Sequence, residues 1–225
     1  NPVDSIIHVT GLVSYGTGYR SGLVLWSNDF GDSWESMHTR FDALLNSSDF
    51  FNQMKCILVG DNGYIGFIDT DIDKIIRINP VCDKNLRSLT ALEDTTIYTV
   101  GCAKTVYRKK NSLPYWNSYY SYGYPPKDSL QTIRFTNDST GIFLANEREN
   151  MYISSSLYKS INSGEEWEHW VYMDNYIFRE MDVVGNSIFL CGSNGKVLIA
   201  HNMFATSMIK TMTPNNPLNT LDFVD

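Results

Sequence analysis

Hydrophobic runs ending in glycine or asparagine turns recur along this chain at a nearly constant interval. Leu25, Ile65 and Val106 lie 40 and 41 residues apart, and Tyr158 and Val197 lie 39 apart. Gly60, Gly101 and Gly192 end runs of matching character. The gap from Val106 to Tyr158 is longer, with insertions around Tyr115 to Pro126; a period of this length marks a repeat architecture, in which each unit buries its apolar faces against its neighbours. The runs are short and β-branched or aromatic, as strands are, and Asp61-Asn62-Gly63 is a hairpin signal between two of them.

Four short strands in about 40 residues is the arithmetic of a propeller blade. Five units of about 45 residues would use all 225. The expected fold is all-β, a single five-bladed β-propeller of four-stranded antiparallel blades. The expected blades span residues 5–37 together with 218–223, then 41–78, 86–119, 129–172 and 177–212. The segment Leu218 to Phe223 resembles the inner strand Leu130 to Phe135. The first unit lacks such a strand, so the C-terminal segment is expected to complete it and close the ring, leaving no open edge. Residues 40–51 are ambiguous between strand and short helix.

Two loops stand out. Ser27-Asn28-Asp29-Phe30-Gly31-Asp32-Ser33-Trp34 follows one hydrophobic run, and Ser160-Ile161-Asn162-Ser163-Gly164-Glu165-Glu166-Trp167 follows another. Asp29 and Asn162 can accept backbone N–H groups inside the turn, and Gly31 and Gly164 can take positive φ. Trp34 and Trp167 then plug the loop from the next strand. The first loop resembles the Asp-box of the sialidase-like propellers, Ser-x-Asp-x-Gly-x-Thr/Ser-Trp. Gly60-Asp61-Asn62-Gly63-Tyr64-Ile65 and Gly192-Ser193-Asn194-Gly195-Lys196-Val197 are similar to hairpins of the photosystem II assembly factor-like propellers. The resemblance implies structural roles for Ser27, Asp29, Gly31, Trp34, Asn162, Gly164 and Trp167. It also implies protein partners rather than turnover, because the sialidase arginine cluster and tyrosine–glutamate pair have no counterpart.

Two groups are candidates for function. On the inner strands, Arg134, Glu180, Asp182 and Asp222 fall near one register and would gather at the central channel. They can neutralise one another, or hold a polar ligand. Glu180 and Asp222 could also serve as the paired carboxylates of a glycoside-processing enzyme, which is the alternative function. The second group is aromatic: Trp116, Tyr119, Tyr120, Tyr122 and Tyr124 in a proline- and glycine-rich stretch, with Tyr172 and Tyr176 in a later loop beside Asp174 and Asn175. Tyrosine offers an apolar face and a hydroxyl at low entropic cost, which suits a protein or sugar surface.

The expected function is a non-catalytic binding or assembly module for a protein partner, with a glycan second. A formal net charge of -7 excludes an electrostatic footprint for nucleic acid. No apolar run reaches the length of a membrane span. His8, His38, His169 and His201 lack ligand spacing, so neither metal nor cofactor is expected. Cys56, Cys82, Cys102 and Cys191 read as free structural thiols, with a Cys82–Cys102 bridge as the alternative in an exported protein. The start at Asn1 decides nothing about localisation; the Asn, Ser and Tyr content fits an exported or viral source. Asn46-Ser47-Ser48 and Asn137-Asp138-Ser139 match the glycosylation acceptor pattern.

Overall fold

The computed structural model describes residues 7–14, 20–27, 29–39, 43–52, 55–69, 74–78, 80–92, 95–101, 104–112, 115–119, 121–122, 129–149, 151–201, 206–211 and 217–219. Among these residues twenty strands form five sheets. The chain divides into two compact units, one of residues 1–99 and 109–116, the other of residues 100–108 and 117–225.

The first unit holds two whole sheets. β1 (Ile7–Ser14), β2 (Arg20–Ser27) and β3 (Glu35–His38) form an antiparallel three-stranded sheet. β4 (Leu45–Asn52), β5 (Lys55–Gly60), β6 (Ile65–Asp69) and β7 (Lys74–Ile78) form a four-stranded meander. Val24 of β2 with Leu45, Cys56, Leu58, Tyr64 and Ile68 make the core that the two sheets share. β4 resolves the ambiguous stretch as strand, and its polar residues act tertiarily. Asn46 Nδ2 donates to the Leu86 carbonyl at 2.8 Å, Ser47 Oγ accepts from Leu89 N–H, and Asp49 Oδ2 accepts from Ala91 N–H at 2.8 Å. These bonds hold β8 (Leu86–Leu92) beside β4.

The third sheet runs in the order β11-β10-β9-β8, with β9 (Thr96–Gly101), β10 (Val106–Lys110) and β11 (Asn117–Tyr119). The division between the units falls within its strands.

The second unit contains the fourth and fifth sheets. The fourth is β12 (Ser121–Tyr122), β13 (Ser129–Phe135), β14 (Gly141–Glu149), β15 (Tyr152–Ser160) and β16 (Trp167–Asp174). Its order is β12-β16-β15-β14-β13. The fifth is β17 (Phe178–Val184), β18 (Ser187–Gly192), β19 (Lys196–His201) and β20 (Thr206–Thr211), in chain order. Ile142, Leu144, Leu157, Phe178, Met181 and Leu190 form the core they share.

The second, third and fifth sheets have four strands each, and all pairings of the second and fifth are antiparallel. The first has three strands among the described residues. The fourth has five, because Ser121–Tyr122 pairs in parallel with Trp167–Glu168. The expected closing strand at 218–223 lies outside the described residues beyond Asn219; Leu218 donates its N–H to the Gly192 carbonyl at 2.8 Å.

Both glycine hairpins fold alike. Asp61–Gly63 and Ser193–Gly195 are single 3-10 turns in which Asn62 and Asn194 sit at φ 56°, followed by Gly63 at 67° and Gly195 at 63°. Asparagine tolerates this left-handed region better than branched residues, which is why the Asn-Gly pair specifies the turn.

Candidate functional site

The two tryptophan-plugged loops share one hydrogen-bond pattern. In the first, Ser27 Oγ donates to Asp29 Oδ1 at 2.7 Å and accepts from Gly31 N–H at 2.8 Å. Asp29 Oδ1 accepts from Ser33 N–H at 2.9 Å, and Trp34 Nε1 donates to the Gly31 carbonyl at 3.0 Å. In the second, Ser160 Oγ donates to Asn162 Oδ1 at 3.0 Å and accepts from Gly164 N–H at 2.9 Å. Asn162 Oδ1 accepts from Glu166 N–H at 3.0 Å, and Trp167 Nε1 donates to the Gly164 carbonyl at 3.1 Å. Phe30 and Ser163 take φ of 59° at matching positions. The plugs differ in depth. Trp167 is fully buried, its ring 4.9 Å from Phe143 and 5.9 Å from Phe135, whereas Trp34 is 44% exposed.

The second loop is also held from outside. Arg108 on β10, almost wholly buried, donates to the Ser163 carbonyl at 2.6 Å and reaches Glu165 at 3.3 Å. It also donates to the Tyr119 hydroxyl, and its guanidinium lies 4.5 Å from the Tyr119 ring. Tyr119 thus holds its hydroxyl on Arg108 while its side chain stays partly exposed. Trp116 is half-buried, with an indole N–H that has no acceptor among the described residues. Tyr122 lies in β12; Tyr120 and Tyr124 fall outside the described residues.

The inner-strand polar group is assembled in part. Glu180 on β17 accepts from Thr132 Oγ1 at 3.0 Å and pairs with Arg134 of β13 at 3.4 Å. Arg134 Nε pairs with Asp182 at 3.5 Å. Burial pushes the Glu180 carboxyl above its ordinary range, against the lowering effect of Arg134 and Thr132. Both carboxylates converge on one guanidinium, which neutralises much of their charge. Asp222 lies outside the described residues.

One end of the fourth sheet carries an exposed aromatic group. Ser154 pairs with Asp174, and Asn175 N–H donates to the Ile153 carbonyl, so the β14–β15 turn and the end of β16 lie side by side. There Met151 is 94% exposed, Tyr152 76% and Tyr172 57%. Tyr176 is half-buried and stacks on Phe178 at 5.9 Å. The sequence reading named Tyr172 and Tyr176. It missed Met151 and Tyr152, whose hairpin position was legible but whose neighbour across the sheet was not.

The remaining candidates are placed as follows. Cys56 and Cys191 are buried free thiols, pushed up to about 12 and about 11 by desolvation, and Cys82 is free and partly exposed. Cys102 lies outside the described residues. His169 Nε2 lies 3.3 Å from Ser156 Oγ, and His201 Nδ1 lies 3.1 Å from Ser187 Oγ. No three metal-ligating side chains come together among the described residues. No helix among them is long and apolar enough to cross a membrane.

No family model matches the chain, and no curated protein matches it. Solved structures do. The chain is similar to the structure of U3-55K, with a TM-score of 0.63 at 11% identity, covering 90% of this chain and 66% of that one. It is similar to the WD40 β-propeller domain of Doa1, with a TM-score of 0.63 at 13% identity, covering 96% of this chain and 68% of that one. YCF48 bound to D1 peptide aligns over 91% of this chain and 84% of that one, at 13% identity and a TM-score of 0.48. The chain therefore has a fold of the β-propeller class.

Proposed function

We propose that this chain is a non-catalytic binding module whose partner is another polypeptide. The observation that carries the reading is the exposed trio Met151, Tyr152 and Tyr172 at one end of the fourth sheet. Methionine and tyrosine are over-represented at protein interfaces, and tyrosine buries large area at modest entropic cost. Large exposed side chains gathered toward one end of a sheet mark an interaction surface. The runner-up, a glycoside-processing enzyme, needs a carboxylate free to donate or attack. Glu180 and Asp182 are instead both turned to Arg134, which favours the binding reading.

The same proposal takes the two tryptophan-plugged loops as Asp-box elements with purely structural duty. It also takes the ring as five-bladed and closed by residues 218–223. The bond from Leu218 to Gly192 supports closure, since it starts the C-terminal segment beside the fifth sheet.

Peptide and glycan arrays probed with the wild type and a Met151/Tyr152/Tyr172 triple-alanine variant test the reading. Peptide capture that falls at least about tenfold in the folded variant is expected. Glycoside turnover lost in Glu180→Gln would establish the runner-up, and glycan capture alone would put a glycan in place of the polypeptide partner.

A further inference from the structure

A groove of about 540 Å³ opens in the first unit between β3 and β7, a size suited to a ligand several residues long. We infer that it is a docking site for an extended peptide strand, which adds its backbone to the edge of β7. The inference rests on the chain being a polypeptide-binding module, but it concerns a surface separate from Met151, Tyr152 and Tyr172.

Both walls are the last strands of their sheets, β3 of the first and β7 of the second. Such an edge presents a row of main-chain donors and acceptors, and the ligand that matches such a row is another backbone. β7 has five residues, a length of roughly 16 Å, enough to register a short strand. Ile76 in its middle is 46% exposed, an apolar side chain left in water on an edge.

The groove floor makes the same demand. Trp26 lines it and keeps its indole N–H buried with no acceptor among the described residues. A buried donor without a partner destabilises the free protein, and a peptide carbonyl would satisfy it. Met37 adds an apolar surface for one side chain of the guest. The charges select the guest further. Glu35 stands on the β3 wall and Lys74 on the β7 wall, so the peptide is one with a basic side chain toward β3 and an acidic one toward β7.

Selection of random peptides displayed on phage against the immobilised wild-type protein tests this, followed by fluorescence anisotropy and amide hydrogen exchange on the bound complex. The expected result is slowed exchange at residues 75–77. Affinity should fall about tenfold or more in Trp26→Phe and in Lys74→Glu, and stay unchanged in the exposed control Asp138→Ala. Lys74 is solvent-facing, so its variant folds even if the tryptophan change disturbs the sheet. Peptides whose binding ignores Trp26 and Lys74 and protects the fourth sheet overturn the groove and leave the binding-module reading standing. Failure to select any peptide overturns both.

Discussion

The indole N–H of Trp167 donates to the carbonyl oxygen of Gly164 at 3.1 Å, closing the loop that Ser160 opens. Ser160 is buried at the centre of that loop, where its Oγ serves Gly164 N–H and Asn162 Oδ1 together. Ser160→Ala therefore strands a buried N–H and loses three bonds, the third a long one from Asn162 N–H at 3.4 Å. It should cost about 1–3 kcal/mol in denaturant unfolding. Asn162→Ala removes the acceptor for Glu166 N–H at the exposed side and should cost less, about 1 kcal/mol.

The first loop should respond to acid. Hydrogen bonds from the Ser33 hydroxyl, the Ser33 N–H and the Ser27 hydroxyl lower the Asp29 carboxyl from 3.8 to about 2. A depressed carboxyl stabilises the fold above its unfolded value and loses that contribution as the pH falls through its folded value. The loop should hold from neutral pH to about 4 and weaken between there and about 2. A carboxyl NMR titration of Asp29 reads this directly. A midpoint at or above 3.8 would show that the Ser33 bonds do not form in solution.

These loops were legible because their chemistry is local. Serine, Asp or Asn, glycine and tryptophan meet within eight residues, and the Asn-Gly hairpins likewise carry their own left-handed turns. β4 was not legible for the opposite reason. Its Asn46, Ser47 and Asp49 look like loop residues, and their purpose is to bond the backbone of β8 some 40 residues on. Asn46 Nδ2 is thereby occupied in the folded chain. The parallel pairing of β12 with β16 and the groove between β3 and β7 also join distant segments. Neither has a local sequence signature.

Glu180 should titrate in the sense opposite to Asp29. Desolvation raises its carboxyl above 4.5, with Arg134 opposing. The folded chain then holds the proton longer than the unfolded chain does. Stability should decline as the pH rises from about 4.5 through the folded value and level off beyond it. Glu180→Gln keeps an oxygen for Thr132 and leaves Arg134 to Asp182, so its unfolding midpoint should vary less over that interval. Urea midpoints of both proteins across the range decide it. Parallel curves would mean that the carboxylate is better solvated than its position between β13 and β17 implies.

Two glycines of the fifth sheet separate steric from conformational demand. A Cβ at Gly192 would lie 2.1 Å from the Ile177 carbonyl oxygen, the same oxygen that accepts from Ser193 N–H at 2.8 Å. Backbone stands there rather than a flexible side chain, so the strand must move, and the hairpin bond and the Leu218 anchor on Gly192 move with it. Gly192→Ala should cost at least about 4 kcal/mol or prevent folding. Gly185 sits at φ 55° with open space around it, so Gly185→Ala meets only backbone strain and should cost about 1 kcal/mol. Thermal and urea unfolding of the pair give the comparison. Equal, small losses in both would show that the β18 hairpin can shift away from Ile177, and that the packing of Ile177 against Gly192 does not fix the entry to β17.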